Sequence, residues 1–242
     1  MTRAFTPPTV DGVSASSLVL PPGPWLRLID YLVHRLPSVG RADWMARMQA
    51  GEVIDEHGQA LDPEASYRKQ TRIYYYRRVA FEHPIPFDET VLFQDEWIVV
   101  ADKPHFLPVV PAGRYVQETL LVRLKRKLGI DTLTPMHRID RDTAGLVLFS
   151  VQPPTRAAYQ HLFRDKTITK QYEAIAPAQA DLNWPHTHRS RLQESAQFMA
   201  MEEVPGEPNA ETVIDVIERH GDLCRYKLQP ITGQKHQLRA HM

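Results

Sequence analysis

The chain has 242 residues, 43% of them hydrophobic, and its 29 basic and 29 acidic side chains cancel to zero formal charge. That is apolar material enough for one large domain or two smaller ones, and the neutral balance argues neither for nor against a nucleic-acid partner. No apolar run reaches the roughly 18 residues of a membrane span, the N-terminal residues lack the charged-then-apolar layout of a secretory signal, and Cys224, alone of its kind, excludes an internal disulfide and a CxxC metal pattern, so a reduced cytoplasmic compartment is expected.

Residues 1–20 are polar, with Pro7, Pro8 and a Ser-rich stretch, and predict a flexible tail. In "WLRLIDYLVHRL", Leu28, Ile29, Leu32, Val33 and Leu36 follow helical spacing. A second short helix is predicted through "RADWMARMQA", ended by Gly51. The strand-like "EVID", the turn-like "EHG" and the strand-like "TRIYYYR" complete a small module over 21–80, in which Arg72, Arg77 and Arg78 flank a tyrosine run. Prolines in "FEHPIPFDE" mark a linker over 81–87.

The second domain is expected over 88–242. "TVLFQDEWIVVADKP" predicts two strands around a tight turn at Gln94–Glu96, and "ETLLVRLKRKLG" an amphipathic helix with Leu120, Leu121, Leu124 and Leu128 on one face and Gly129 as its stop. Arg123, Lys125, Arg126 and Lys127 cover the rest of that helix, either as a solvated face or as an RNA cradle. "LVLFS" reads as a buried strand and "PTRAAYQHLFRD" as a helix. "TITKQYEAIAP" alternates, with Ile168, Lys170, Tyr172 and Ala174 on one side. "ETVIDVIE" and "CRYKLQPI" are further strands. Without a βαβ rhythm, the fold class is α+β: a mixed, largely antiparallel sheet with flanking helices, preceded by the small α+β module.

Phosphate loops, dinucleotide fingerprints, HExxH and GxSxG are absent from the sequence. His186 and His188 stand two apart with no third ligand beside them in sequence, so they read as surface residues and no metal site is expected. The chemistry-bearing contrast lies in "PMHRIDRDTAGLVLFS", where His137, Arg138, Asp140, Arg141 and Asp142 precede an apolar run. Arg138 and Asp140 share a side of an extended chain. Asp142 is suited to accept backbone N–H groups and fix a turn, and Gly145 permits a backbone shape other residues resist. A carboxylate at the mouth of a buried strand, opposed by an arginine, stays ionised and partly dehydrated: a nucleophile that needs no metal. The plainer reading of the same spacing is a structural Asp–Arg bridge. A glycosidase pair of Asp140 and Asp142 fits poorly, since residues two apart do not flank a sugar at about 5–9.5 Å. At the C-terminus, "PITGQKHQLRAHM" crowds Lys235, His236, Gln237, Arg239 and His241 behind a Thr232-Gly233 turn, and Arg239 is a candidate partner for Asp140.

"HRIDRDTAGLVLF" resembles the HRLDxxTSGLLLF motif of the RluA family of pseudouridine synthases. "ITKQYEAIAP" resembles that family's I-x-K-x-Y-x-A strand, "PITGQKHQLRAHM" its TGRxHQIRxH segment, and "VLFQDEWIVVADKPHFLPVVP" its ILYEDE…VVNKPAGLPVHP stretch. The motifs keep the family's order over 88–242, and the 21–80 module resembles, more weakly, the S4-like RNA-binding fold. The resemblance implies that Asp140 is the catalytic aspartate, that Tyr172 stacks on the uracil and assists removal of the C5 proton, and that Arg239 pairs with Asp140. It implies that Arg138 enters the RNA and helps hold the target nucleotide out, with Lys170, Lys235, His236 and Gln237 as lesser RNA contacts.

The implied reaction breaks N1–C1′, turns the uracil and bonds C5 to C1′ within structured RNA, in 23S rRNA or a tRNA anticodon stem-loop. An isomerisation needs no redox cofactor, nucleotide or metal, and a monomer without membrane attachment is expected. The departures are Ala144 for the motif serine, His105-Phe106 for Ala-Gly, and Gln234 for the arginine of TGR. Met242 directly follows the last motif, where family members continue for tens of residues. A second reading is therefore a non-catalytic RNA-binding protein on the same scaffold.

Overall fold

A computed structural model describes residues 5–79, 81–179, 181–196 and 200–242. It divides into two units, 1–153 and 154–242, each taken by itself. The first begins with β1 (Ser16–Val19), α1 (Leu28–Arg35), α2 (Arg41–Gln49), β2 (Val53–Asp55) and β3 (Arg72–Tyr75). These strands pair antiparallel in the order β1-β3-β2. The amphipathic stripe of α1 buries Leu28, Ile29 and Leu32 against Trp44 and Met48 of α2, with Val53 and Ile73 beneath. Each such side chain contributes about 1.5–3 kcal/mol.

The tail expected over 1–20 thus contains a strand. Serines at 16 and 17 hid an alternation in which Leu18 packs on this core and Leu20 is buried. The arginines near the tyrosine run are also engaged internally. Arg77 donates to the carbonyls of Pro111 (3.0 Å) and Gly113 (2.9 Å), and Arg78 pairs with Glu52.

The same unit continues with β4 (Thr90–Gln94), β5 (Ile98–Lys103), α3 (Leu120–Leu128), β6 (Thr134–Pro135) and β7 (Gly145–Ser150). The sheet order is β4-β5-β7-β6, all antiparallel. Asp95 closes the expected turn, its Oδ1 accepting from the N–H groups of Trp97 (2.8 Å) and Ile98 (2.7 Å). Val99, Ala101, Val147 and Phe149 are wholly buried against Leu120 and Leu124 of α3. Thr119 caps α3, accepting from the Val122 N–H, and Gly129 ends it at φ 69.

The basic face of α3 is divided: Arg126 and Lys127 are exposed, whereas Arg123 and Lys125 are engaged internally. Arg123 pairs with Glu118 and with Glu89 (3.4 Å) and donates to the carbonyls of Ile85 (2.8 Å) and Phe87 (2.7 Å). Lys125 is buried on Ser14 Oγ at 2.8 Å. The expected linker is bolted down from both sides, because the Glu82 carboxylate also accepts the N–H groups of Val116, Gln117 and Glu118. Arg123→Ala removes the bridging cation from buried Glu89 and partly buried Glu118, leaving Glu89 only the longer Lys127 pair at 3.5 Å. It is expected to cost about 3 kcal/mol, seen as a lower urea midpoint at unchanged slope; an unshifted midpoint would contradict this.

The second unit comprises α4 (Arg156–Arg164), β8 (Tyr172–Pro177), β9 (His186–Glu194), β10 (Met201–Val204), β11 (Ala210–His220), β12 (Leu223–Pro230) and α5 (Gln237–His241). Its strands form one antiparallel sheet in the order β10-β9-β11-β12-β8. Ile214, Cys224, Tyr226 and Leu228 make its buried core, with Tyr172, Trp184 and Leu238 packed against them. The alternation predicted from Ile168 becomes strand only at Tyr172. Tyr172 pairs with Leu228, and the register would next bring Lys170 opposite Pro230, which has no N–H to donate. Polar β9 and β10 carried no hydrophobic signal. No helix among the described residues is long and apolar enough to cross a membrane.

Candidate active site

Asp140 lies in the loop between β6 and β7, half-buried, with Arg138 exposed beside it. The loop is fastened at several points. Met136 N–H donates to the Leu148 carbonyl (2.9 Å), Leu148 N–H donates to His137 Nε2 (3.2 Å), and Thr143 N–H closes a turn on the Asp140 carbonyl (3.1 Å). Gly145, where β7 begins, takes φ +123, and a Cβ there would meet nothing within 4 Å, so the need for glycine is conformational and not steric. Asp142 was expected to fix the turn through its carboxylate. Instead that carboxylate accepts from Arg141 Nε at 2.9 Å, while the Asp142 carbonyl accepts from His105 Nδ1 at 2.6 Å.

Beneath the loop sits Lys103, fully buried at the end of β5 and opposite Gly145 in register. Its ammonium donates to the carbonyls of Pro104 (2.9 Å) and Arg141 (3.0 Å). Burial pushes its pKa down to about 8, against the opposing pull of the Asp142 and Asp140 carboxylates. Lys103 was not among the expected site residues. The signal was present: on β5 it shares a face with Val99 and Ala101, both wholly buried, so alternation points an ammonium into the core. His137 was likewise missed as a brace.

Tyr172, Lys170, Lys235, His236, Gln237 and Arg239 belong to the second unit. Tyr172 is half-buried on the core that also takes Leu238 of α5. The Lys170 ammonium reaches the 232–237 loop, lying 3.6 Å from where a Cβ on Gly233 would stand, and burial lowers its pKa with help from Lys166. His236 precedes α5 in the left-handed region at φ 50. Arg239 lines a depression with Met201, His236 and Ala240. Lys235 is ion-paired to Glu194 at 2.7 Å.

Gln237 is a correction. Expected as an RNA contact, it is buried, accepting from Thr232 Oγ1 (2.7 Å) and Gln234 N–H (2.9 Å) and donating to the Glu211 carbonyl (2.9 Å) and Thr212 Oγ1 (2.9 Å). A satisfied buried amide braces the loop and has nothing left for a base. Gln234, standing for the family's arginine, donates its amide to the Asn209 carbonyl at 3.1 Å.

His188 does gain company that the sequence concealed: its donor atom, one of Glu203 and one of His241 all lie within 4.8 Å of one another. These residues could hold a metal. Yet His188 Nε2 and Glu203 Oε1 are 2.7 Å apart, closer than the roughly 3.3 Å between two ligands of a tetrahedral zinc. The spacing is that of a hydrogen-bonded pair, which joins β9 to β10. His241 Nδ1 lies 2.9 Å from Thr212 Oγ1, which ties α5 to β11. Hydrogen bonds from His188 and Ser190 hold the Glu203 carboxyl below its ordinary pKa despite burial, the largest single influence, which acts the other way.

Residues 97–242 match the family model described as RNA pseudouridylate synthase. The chain is 30% identical over 148 residues to an uncharacterised RNA pseudouridine synthase of Synechocystis sp., covering 61% of this chain and 50% of that one. It is 31% identical over 162 residues to the mitochondrial tRNA pseudouridine(32) synthase of Saccharomyces cerevisiae, covering 63% and 34%. It is 30% identical over 168 residues to the dual-specificity RNA pseudouridine synthase RluA of Pasteurella multocida, covering 65% and 72%. The chain thus spans about half the length of the Synechocystis relative and about a third of the yeast one. Human RNA pseudouridylate synthase domain containing 1 shares the fold, with a TM-score of 0.55 at 18% identity over 66% of each chain. With the family model covering more than half of its residues, the chain belongs to the RNA pseudouridylate synthase family.

Proposed function

We propose that this chain isomerises a uridine in structured RNA to pseudouridine, with Asp140 as the attacking carboxylate. The observation that carries the proposal is the placement of Asp140, half-buried on a loop pinned over the Lys103 ammonium, within the segment that matches the family pattern. A fixed, partly dehydrated carboxylate is a competent nucleophile. The target must first leave the stack, which costs a few kcal/mol. In this reading, which the motif matches support, Tyr172 stacks on the expelled uracil and assists loss of the C5 proton, Arg239 is a further catalytic side chain, and Arg138 fills the space the nucleotide vacates. Lys170 and Lys235 contribute attraction to phosphate.

The N1–C1′ bond breaks, the uracil turns, C5 bonds to C1′, and the proton displaced from C5 is balanced by one gained at N1. The residue roles rest on the motif matches, and the substrates proposed are a tRNA anticodon stem-loop, 23S rRNA, or both. The module over 21–80 is proposed to add RNA-binding surface. Pseudouridine mapping of tRNA and rRNA transcripts incubated with the chain, by carbodiimide adducts that persist on pseudouridine and stop primer extension, tests the reaction. A site-specific pseudouridine is expected; RNA that binds but is never modified would overturn the reading in favour of a non-catalytic RNA-binding protein.

A further inference from the structure

The segment behind Lys103 departs from the family pattern at His105-Phe106, and the departure has a physical cost. Phe106 occupies φ 67, the left-handed region that favours glycine, yet the residue is 51% exposed. Backbone preference calls for glycine there, and so exposed a residue gains little from burial. The ring does have aromatic neighbours. Phe87, itself 47% exposed, lies with its centroid 6.0 Å away, tilted by 39°, and the His105 ring lies 5.9 Å away on the other count. Both ends of this group are fixed. His105 Nδ1 donates to the Asp142 carbonyl, two residues from Asp140, and Arg123 holds the Phe87 carbonyl.

We propose that Phe87 and Phe106 form a stacking platform for an unpaired RNA base next to the target nucleotide. The proposal rests on the function proposed above and names a subsite of it. Expelling one nucleotide leaves its neighbours without a stacking partner, and an exposed aromatic face replaces that partner whatever the base identity. The occupant is a nucleobase because the platform is anchored to the loop that carries Asp140, where exposed Arg138 supplies positive charge for an adjoining phosphate. Phe106 is thus a binding residue, and its strained backbone is retained for what the ring touches.

The test compares wild type with Phe106→Gly, which suits the local backbone, and with Phe106→Trp, which keeps an aromatic face. The probe is a stem-loop RNA that wild type modifies, with and without an abasic position beside the target uridine. Phe106→Gly is expected to weaken RNA binding about tenfold and to melt no lower than wild type, while Phe106→Trp binds normally. The abasic RNA should lose affinity for wild type but no further for Phe106→Gly. Equal affinities of wild type and Phe106→Gly would overturn the platform. Binding is read on its own, with a uridine-containing stem-loop if wild type modifies none, so absence of turnover in wild type refutes the reaction while the affinity ratio still decides the platform.

Discussion

Asp140→Asn is expected to slow tritium release from [5-³H]uridine RNA by at least about 10³-fold while leaving RNA affinity within about threefold. Asparagine keeps the size of the side chain and much of its hydrogen bonding, and removes only the negative charge. The loop should persist, since its fastenings run through the carbonyls of Asp140, Arg141 and Asp142 and through His137, none of which uses the Asp140 carboxylate. Every route to pseudouridine expels the C5 hydrogen, so the readout does not depend on which carbon is attacked. Full tritium release by Asp140→Asn would remove Asp140 from the chemistry.

Lys103→Met should lower kcat about 10²-fold, because it withdraws the cation that both holds the Arg141 carbonyl and faces the loop carboxylates. The pH profile separates the charge from the packing. Burial sets the Lys103 pKa at about 8, below the roughly 10.4 of an unfolded lysine. Between those values the folded chain binds fewer protons than the unfolded one, so the stability contribution of this group rises with pH across the window and is least favourable below 8. Activity should move the other way, declining above pH 8 as the ammonium discharges. Lys103→Met should lack that decline while retaining the wild-type circular dichroism spectrum. An unchanged alkaline limb in the variant would assign it to another group.

Much of this was legible in the sequence, for reasons that can be named. The alternation of "VVADK" and "LVLFS", the leucine stripe of α3 and the stops at Gly51 and Gly129 report local geometry, and they reappear as β5, β7, α2 and α3. The Asp140 loop was found through its charge against an apolar run. What stayed hidden depends on long-range pairing. Nothing in "HTHRSRLQE" signals a strand until Glu203 and Glu211 supply partners for His188 and Arg189. Arg123 looks like surface charge until Glu89 and Glu118 surround it. Gln237 looks like a ligand contact until Thr212, Thr232 and Glu211 consume its amide. Lys103 is legible too, since the alternation of β5 aims it to the same buried face as Val99 and Ala101.

The most direct measurement is a crystal structure of the chain bound to a stem-loop RNA that carries the target uridine. The account predicts the target nucleotide out of the stack, with C1′ or C6 within about 3.5 Å of an Asp140 carboxylate oxygen. A uridine seated elsewhere, with the Asp140 carboxylate turned to solvent and the RNA in place, would contradict it.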